Sequence, residues 1–87
     1  RFFRLHEYGH HALKHLQREQ FEANPYNRVH VRQRYEKEAD CWAAARMRPQ
    51  ERQLVANFFA GLQGPTRPSW FHPTGYERAH VILNCGN

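Results

Sequence analysis

Apolar positions in the first nineteen residues recur in steps of three and four: Phe2, Leu5, Gly9, Ala12, Leu13 and Leu16 fall on one stripe. That period predicts an amphipathic helix over 1–19. Asn24-Pro25 breaks the pattern, and 21–30 read as a loop. A second helix is predicted over 31–48, strongly charged on one side, with Ala39, Ala43 and Met47 on the other. Pro49 suits the first turn of a third helix. That helix carries Leu54, Val55, Phe58, Phe59 and Leu62, and Gly61 and Gly64 mark its end. Three prolines between Gly64 and Pro73 call for an extended loop. Thr74-Gly75-Tyr76-Glu77 has capping-box spacing and opens a fourth helix through about Asn84. No strand pattern, repeat or low-complexity tract interrupts this reading, so the expected fold class is mainly α, with about four helices.

Eighty-seven residues make a single small domain, 1–87. A chain this short buries only about 60–65% of its unfolded surface, so its core is thin and a metal staple would help it. A hydrophobic fraction of 40%, with 14% aromatic residues, suits a globular fold and excludes a disordered tail. The longest strictly apolar run, Cys41–Ala45, is far too short to span a membrane. No signal peptide is visible. The chain begins at Arg1, inside what already reads as a helix, which suggests a mature or truncated piece.

Thirteen Lys+Arg against eight Asp+Glu give a net charge of +5, a weak preference for acidic partners. Cys41 and Cys85 are too few for a disulfide scaffold and form no C-x-x-C; a buried thiol is expected for Cys41, with a Cys41–Cys85 bridge as the alternative. The redox compartment stays open, and cell envelope and cytoplasm are both compatible. Seven histidines are the unusual feature, and their spacing decides what they can do.

His6-Glu7-Tyr8-Gly9-His10 is H-E-x-x-H on the first helix. Residues four apart share a helix face about 6 Å apart along the axis, so both imidazoles can reach one ion. Glu7, next to the first ligand, can hold the metal-bound water and act as general base. A zinc hydrolase needs a third protein ligand and an open fourth position. Glu36 and Asp40, also four apart, share a face with Ala39 and Ala43, whose small side chains let the second helix approach the first. Glu36 is then the third ligand. Asp40, the only Asp in the chain, is the carboxylate that accepts a ring N–H from a ligand histidine. Glu38 is the alternative third ligand.

H-E-x-x-H followed by E-x-x-x-D resembles the gluzincin pattern of thermolysin-like metallopeptidases. The chain resembles more closely the family of the CAAX prenyl protease and the heat-shock protease HtpX. That family tends to show H-E-x-G-H with another His five positions on, then E-x-x-A-D with small residues after it, then H-P-x-x-x-x-R. Here these are His6 to His10 with His15, Glu36 to Asp40 with Ala43-Ala44, and His72-Pro73 with Arg78. The stretch from Glu36 to Pro49 is also similar to the ImmA/IrrE metallopeptidases, although Asp40 and Arg48 stand where that group has Asn and Met. The resemblance implies a zincin-like core with one Zn²⁺ per chain on His6, His10 and Glu36, Glu7 as base, and a peptide or protein substrate. It also implies places near the site for His72 and Arg78, where cationic or N–H donors would steady a tetrahedral oxyanion. Gluzincins usually carry a substrate-binding strand upstream of the first site helix. Only five residues precede His6, so the expectation is a partial catalytic domain without that strand.

His11 should face solvent. His15 lies about 180° round a continuous helix from His6, which favours a structural hydrogen bond over a metal bond. His30 and His80 carry no assignment. Trp42, Trp70, Phe58, Phe59 and Phe71 read as core, and Tyr76 as packing with Ala79, Ile82 and Leu83. The expected chemistry is metal-assisted peptide hydrolysis. A noncatalytic zinc-stabilised helical module is the alternative. A basic nucleic-acid-binding domain, resting on eleven Arg, comes last because it leaves the three motifs unexplained.

Overall fold

The computed structural model describes residues 1–85, which form helices and no strands. It comprises α1 (Phe2–Ala12), α2 (His15–Glu22), α3 (Arg28–Ala44), α4 (Pro49–Leu62) and α5 (Gly75–Asn84). None of these helices is long and apolar enough to cross a membrane. The fold class matches the sequence pattern; the helix count differs by one.

The extra helix comes from a break in the first. Leu13 closes α1 through its N–H to the Gly9 carbonyl, and Lys14 then adopts a left-handed conformation, φ 58° and ψ 42°. The apolar stripe does not survive the turn: Leu16 is 75% exposed. The next helix starts three residues earlier than its apolar pattern. The Asn24 side chain accepts the N–H groups of Tyr26 and Asn27, making a tight turn that delivers the chain into α3 at Arg28. The other two starts follow the sequence signals. Pro49 is the first residue of α4, with Glu51 accepting the Arg48 N–H. Thr74 and Glu77 form the reciprocal cap of α5, at 3.1 and 3.3 Å.

Two close approaches assemble the bundle. A Cβ on Gly9 would sit 3.2–3.3 Å from the Ala39 backbone, so α1 lies directly on α3 where the small residues are. A Cβ on Gly75 would collide with the Phe59 carbonyl, which fixes α5 against α4. The core between these contacts is Phe2, Ala43, Ala44, Met47, Ala56, Phe59, Ala79 and Ile82. Half of it is alanine, so Phe59 and Ile82, each worth about 1.5–3 kcal/mol on burial, carry a large share.

Three expectations need correcting. Cys41 is no free thiol: it is bonded to Cys85, Cα to Cα 5.1 Å, and the bridge ties α3 to the end of α5. Of the aromatics assigned to the core, only Phe59 is fully buried; Phe58 is 47% and Trp70 76% exposed. Tyr76 is also largely exposed, because it stands over Gly64 at the mouth of the α4–α5 turn. A short chain has too little interior for so many rings.

Candidate metal centre

His6 and His10 project from successive turns of α1, and Glu36 faces them from α3 across the Gly9–Ala39 contact. Three donor atoms converge. His6 Nε2 and His10 Nε2 are 3.0 Å apart, and Glu36 Oε2 is 3.4 Å from the first and 2.6 Å from the second. In a tetrahedral zinc site with bonds of about 2.0–2.1 Å, donors stand about 3.3 Å apart. The three atoms therefore fit one such ion with a small outward adjustment. Two imidazoles and one carboxylate are also the donor set of zinc sites that keep an open position. Among the described residues, these three form the cluster with metal-ligand spacing.

Each donor side chain has a polar partner behind it. His6 Nδ1 lies 2.7 Å from Asp40 Oδ1. Asp40 is fully buried one turn beyond Glu36, and Arg78 from α5 donates to both its oxygens at 2.8 Å. His10 Nδ1 lies 2.7 Å from His15 Nδ1, and His15 Nε2 is 2.9 Å from Glu38 Oε1. Arg18 holds Glu38 through two bonds, 2.7 and 3.2 Å. The second oxygen of Glu36 is 3.1 Å from His72 Nε2, and His72 Nδ1 is 2.7 Å from the Ser69 hydroxyl.

Charge follows this wiring. Burial works against a charged His6, but its hydrogen bonds to Asp40 and Glu36 outweigh it, and its pKa is pushed up to about 9. Burial likewise opposes charge on Glu36, yet the bonds from His10 and His6 hold its carboxyl well below the usual range. Burial lowers the pKa of His15 despite its bond to Glu38.

The residues named from sequence divide clearly. His6, His10, Glu36, Asp40 and His72 come together. Glu38 is the carboxylate turned away, toward His15 and Arg18, so Glu36 is the one that joins the two α1 histidines. Arg78 lies behind His6, bound to Asp40, where the resemblance had implied a place facing an oxyanion. Two of its guanidinium nitrogens are taken by Asp40, and its side chain is buried. Glu7 is exposed beside His6 and makes no side-chain hydrogen bond or ion pair among the described residues. His11 is exposed. The structural hydrogen bond expected of His15 is present, but its partners, His10 and the Glu38–Arg18 pair, are not legible in the sequence. The one available signal was the histidine five positions beyond His10.

A cavity of about 370 Å³ opens beside the cluster, reaching His10, Glu36 and His72, with Leu16, Tyr35 and Phe71 on its apolar walls. A ligand entering it would meet the donors from the side of α2 and the loop before α5. Compared with protein-family models, curated proteins and solved structures, the chain matches none.

Proposed function

We propose that the chain is the metal-binding core of a zinc-dependent peptidase, with one Zn²⁺ held by His6, His10 and Glu36. The observation that carries this reading is the convergence of those three donors, from an H-E-x-x-H and an E-x-x-x-D, beside an open cavity. Zinc, when bound, supplies a polarised carbonyl and a water acidified to a pKa of about 7. Glu7 then takes the proton of the attacking water and passes it to the leaving amine. Asp40 and Arg78 hold His6 in the tautomer that leaves Nε2 free. His72 steadies the Glu36 carboxylate and stands at the cavity, where an N–H donor can meet negative charge developing on a substrate oxygen.

The test has two arms. Elemental analysis after dialysis should find one zinc per chain, and the His6→Ala/His10→Ala double variant should retain none; stoichiometric zinc in that variant would sink the ligand assignment. With a peptide library as substrate, Glu7→Gln should keep zinc and lose hydrolysis, because an amide cannot take a proton at neutral pH. Parent-like turnover would remove Glu7 as the base.

A second reading has its own support. The donors and their partners come from α1, α2, α3, α5 and the loop before α5, so a metal ion would fasten most of the fold. A noncatalytic zinc-stabilised module would bind zinc, melt at lower temperature on chelation, and hydrolyse nothing.

A further inference from the structure

On an uninterrupted helix His10 and His15 would point about 140° apart. They touch because the chain turns at Lys14, whose left-handed backbone starts α2 in a new direction and swings the His15 ring back onto His10. A non-glycine residue in that conformation is strained, and strain of this kind persists where the surroundings over-determine it. The surroundings here hold His15 from every side. Its ring is 4% exposed and stacks on Tyr35 at 4.3 Å and 12°, Glu38 takes its Nε2, and Arg18 clamps Glu38.

The donors and acceptors along this line have one consistent order once His10 offers Nε2 to a metal ion. Nε2 is then a bare lone pair, so the ring proton of His10 sits on Nδ1 and is donated to His15 Nδ1. His15 is the acceptor there, so its own proton sits on Nε2 and is donated to Glu38. The Glu38 carboxylate faces the permanent charge of Arg18, which ends the line.

We propose that His15 is the positioning residue of His10: it accepts the Nδ1–H of His10 and so holds Nε2 of that ligand toward a divalent metal ion. This inference rests on the metal site proposed above. It gives the two α1 histidines different partners, a carboxylate for His6 and a neutral imidazole for His10. A carboxylate makes the histidine it holds a more basic ligand, so His10 is the weaker electron donor of the two.

Cobalt(II) alone is the probe, because its visible absorption reports the ligand set. The parent chain should take one cobalt. His15→Phe keeps the ring and its stacking on Tyr35 but cannot accept a proton; it should bind cobalt about ten- to a hundredfold more weakly, with altered visible bands. His15→Asn places an acceptor oxygen where Nδ1 was and should bind within about threefold of the parent. Parent-like affinity and spectrum in His15→Phe would overturn the inference while leaving the metal site standing. A parent that takes no cobalt would overturn the site and the inference together. Nitrogen-15 NMR of the zinc-loaded parent needs no variant: His15 should be protonated on Nε2 and bare on Nδ1, and the reverse tautomer would overturn the assignment whatever the variants do.

Discussion

Behind the two histidines of α1 stand two lines of polar side chains, built from similar residue types and buried to different depths. His6 leads to Asp40 and Arg78, whose side chains are 0% and 7% exposed. His10 leads to His15, Glu38 and Arg18, and the last two are 30% and 33% exposed. The first line crosses the interior from α1 through α3 to α5; the second runs from the buried His15 out to the surface between α2 and α3. In the interior, an ion pair has no water to fall back on, so removing one partner leaves a charge stranded. At the surface, water takes the place of the lost partner and the loss is small. The same chemistry is thus a structural commitment on one side of the site and an adjustable support on the other.

The largest expected effect follows directly. Arg78→Ala leaves the Asp40 carboxylate buried with only His6 against it and should destabilise the chain by about 3–5 kcal/mol. Urea unfolding of the metal-free protein checks this; a loss below about 1 kcal/mol would mean that water reaches Asp40 and that the two lines do not differ.

The Cys41–Cys85 bridge guards the interior line. Cys41 follows Asp40 in α3, and Cys85 closes the helix that carries Arg78. Reduction should cost about 2–4 kcal/mol, the range for a native bridge, and should loosen the α3–α5 pairing before that of α1 and α3. Thermal melts with and without a dithiol reductant give the cost. Amide exchange of α5 against α1 gives the order, and equal loosening of both would separate the bridge from the interior line.

These contrasts also explain what could be read from the sequence. The helix pattern, the Pro49 and Thr74 starts, the shared face of His6 and His10 and that of Glu36 and Asp40 each depend on spacing within one element, which a sequence displays directly. The turn at Lys14 does not: lysine carries no signal for a left-handed backbone, and the apolar stripe continues through it to Leu16. Because the stripe predicts one helix over 1–19, it sets His15 opposite His6 and hides its contact with His10. Arg78 shows the other limit. Its i-to-i+38 pairing with Asp40 is a tertiary fact, and the resemblance indicated only its neighbourhood. The exposed Trp70 and Phe58 misled because aromatic residues predict burial only as far as a small interior has room.

At the metal site proposed above, the protonation of His6 would separate the metal-free from the metal-bound form. Its pKa, raised from the ordinary 6.5 to about 9, gives the metal-free fold stability that is fully present below about pH 6.5 and is lost as pH rises through 9. Metal binding runs the opposite way, because it must displace that proton. Apparent zinc affinity should therefore climb about tenfold per pH unit between 6.5 and 9, or about 3 kcal/mol in all. A competition titration against a chromophoric chelator across that window checks it; a flat profile would show that His6 gives up no proton to the metal.

On the surface line the expected change is smaller. Arg18→Ala removes two bonds to Glu38 and one to Glu22, all partly exposed, and a contact 5.0 Å from the buried Tyr35 ring. The cost should be about 1 kcal/mol or less, and lower still in high salt. Set beside Arg78→Ala in the same urea series, this pair measures the comparison: costs within a factor of two of each other would abolish it.

The smallest effect should come from Lys14, and it differs in sign. Lys14 is exposed, so its side chain contributes little to packing, but its backbone sits at φ 58°, where a Cβ crowds the following carbonyl. Glycine has no Cβ and enters that region freely, at the expense of a more flexible unfolded chain. The relief is about 1–2 kcal/mol and the entropic loss about 0.5–1 kcal/mol. Lys14→Gly should therefore raise the unfolding free energy by about 0.5–1 kcal/mol, while Lys14→Ile, β-branched and strained in the same place, should lower it. The visible spectrum of bound cobalt should stay unchanged in Lys14→Gly, because the turn that brings His15 to His10 is kept. A lower stability for the glycine variant would show that Lys14 leaves the left-handed region in solution. In that case the surface line would lose its hinge, and His10 would have to find its partner some other way.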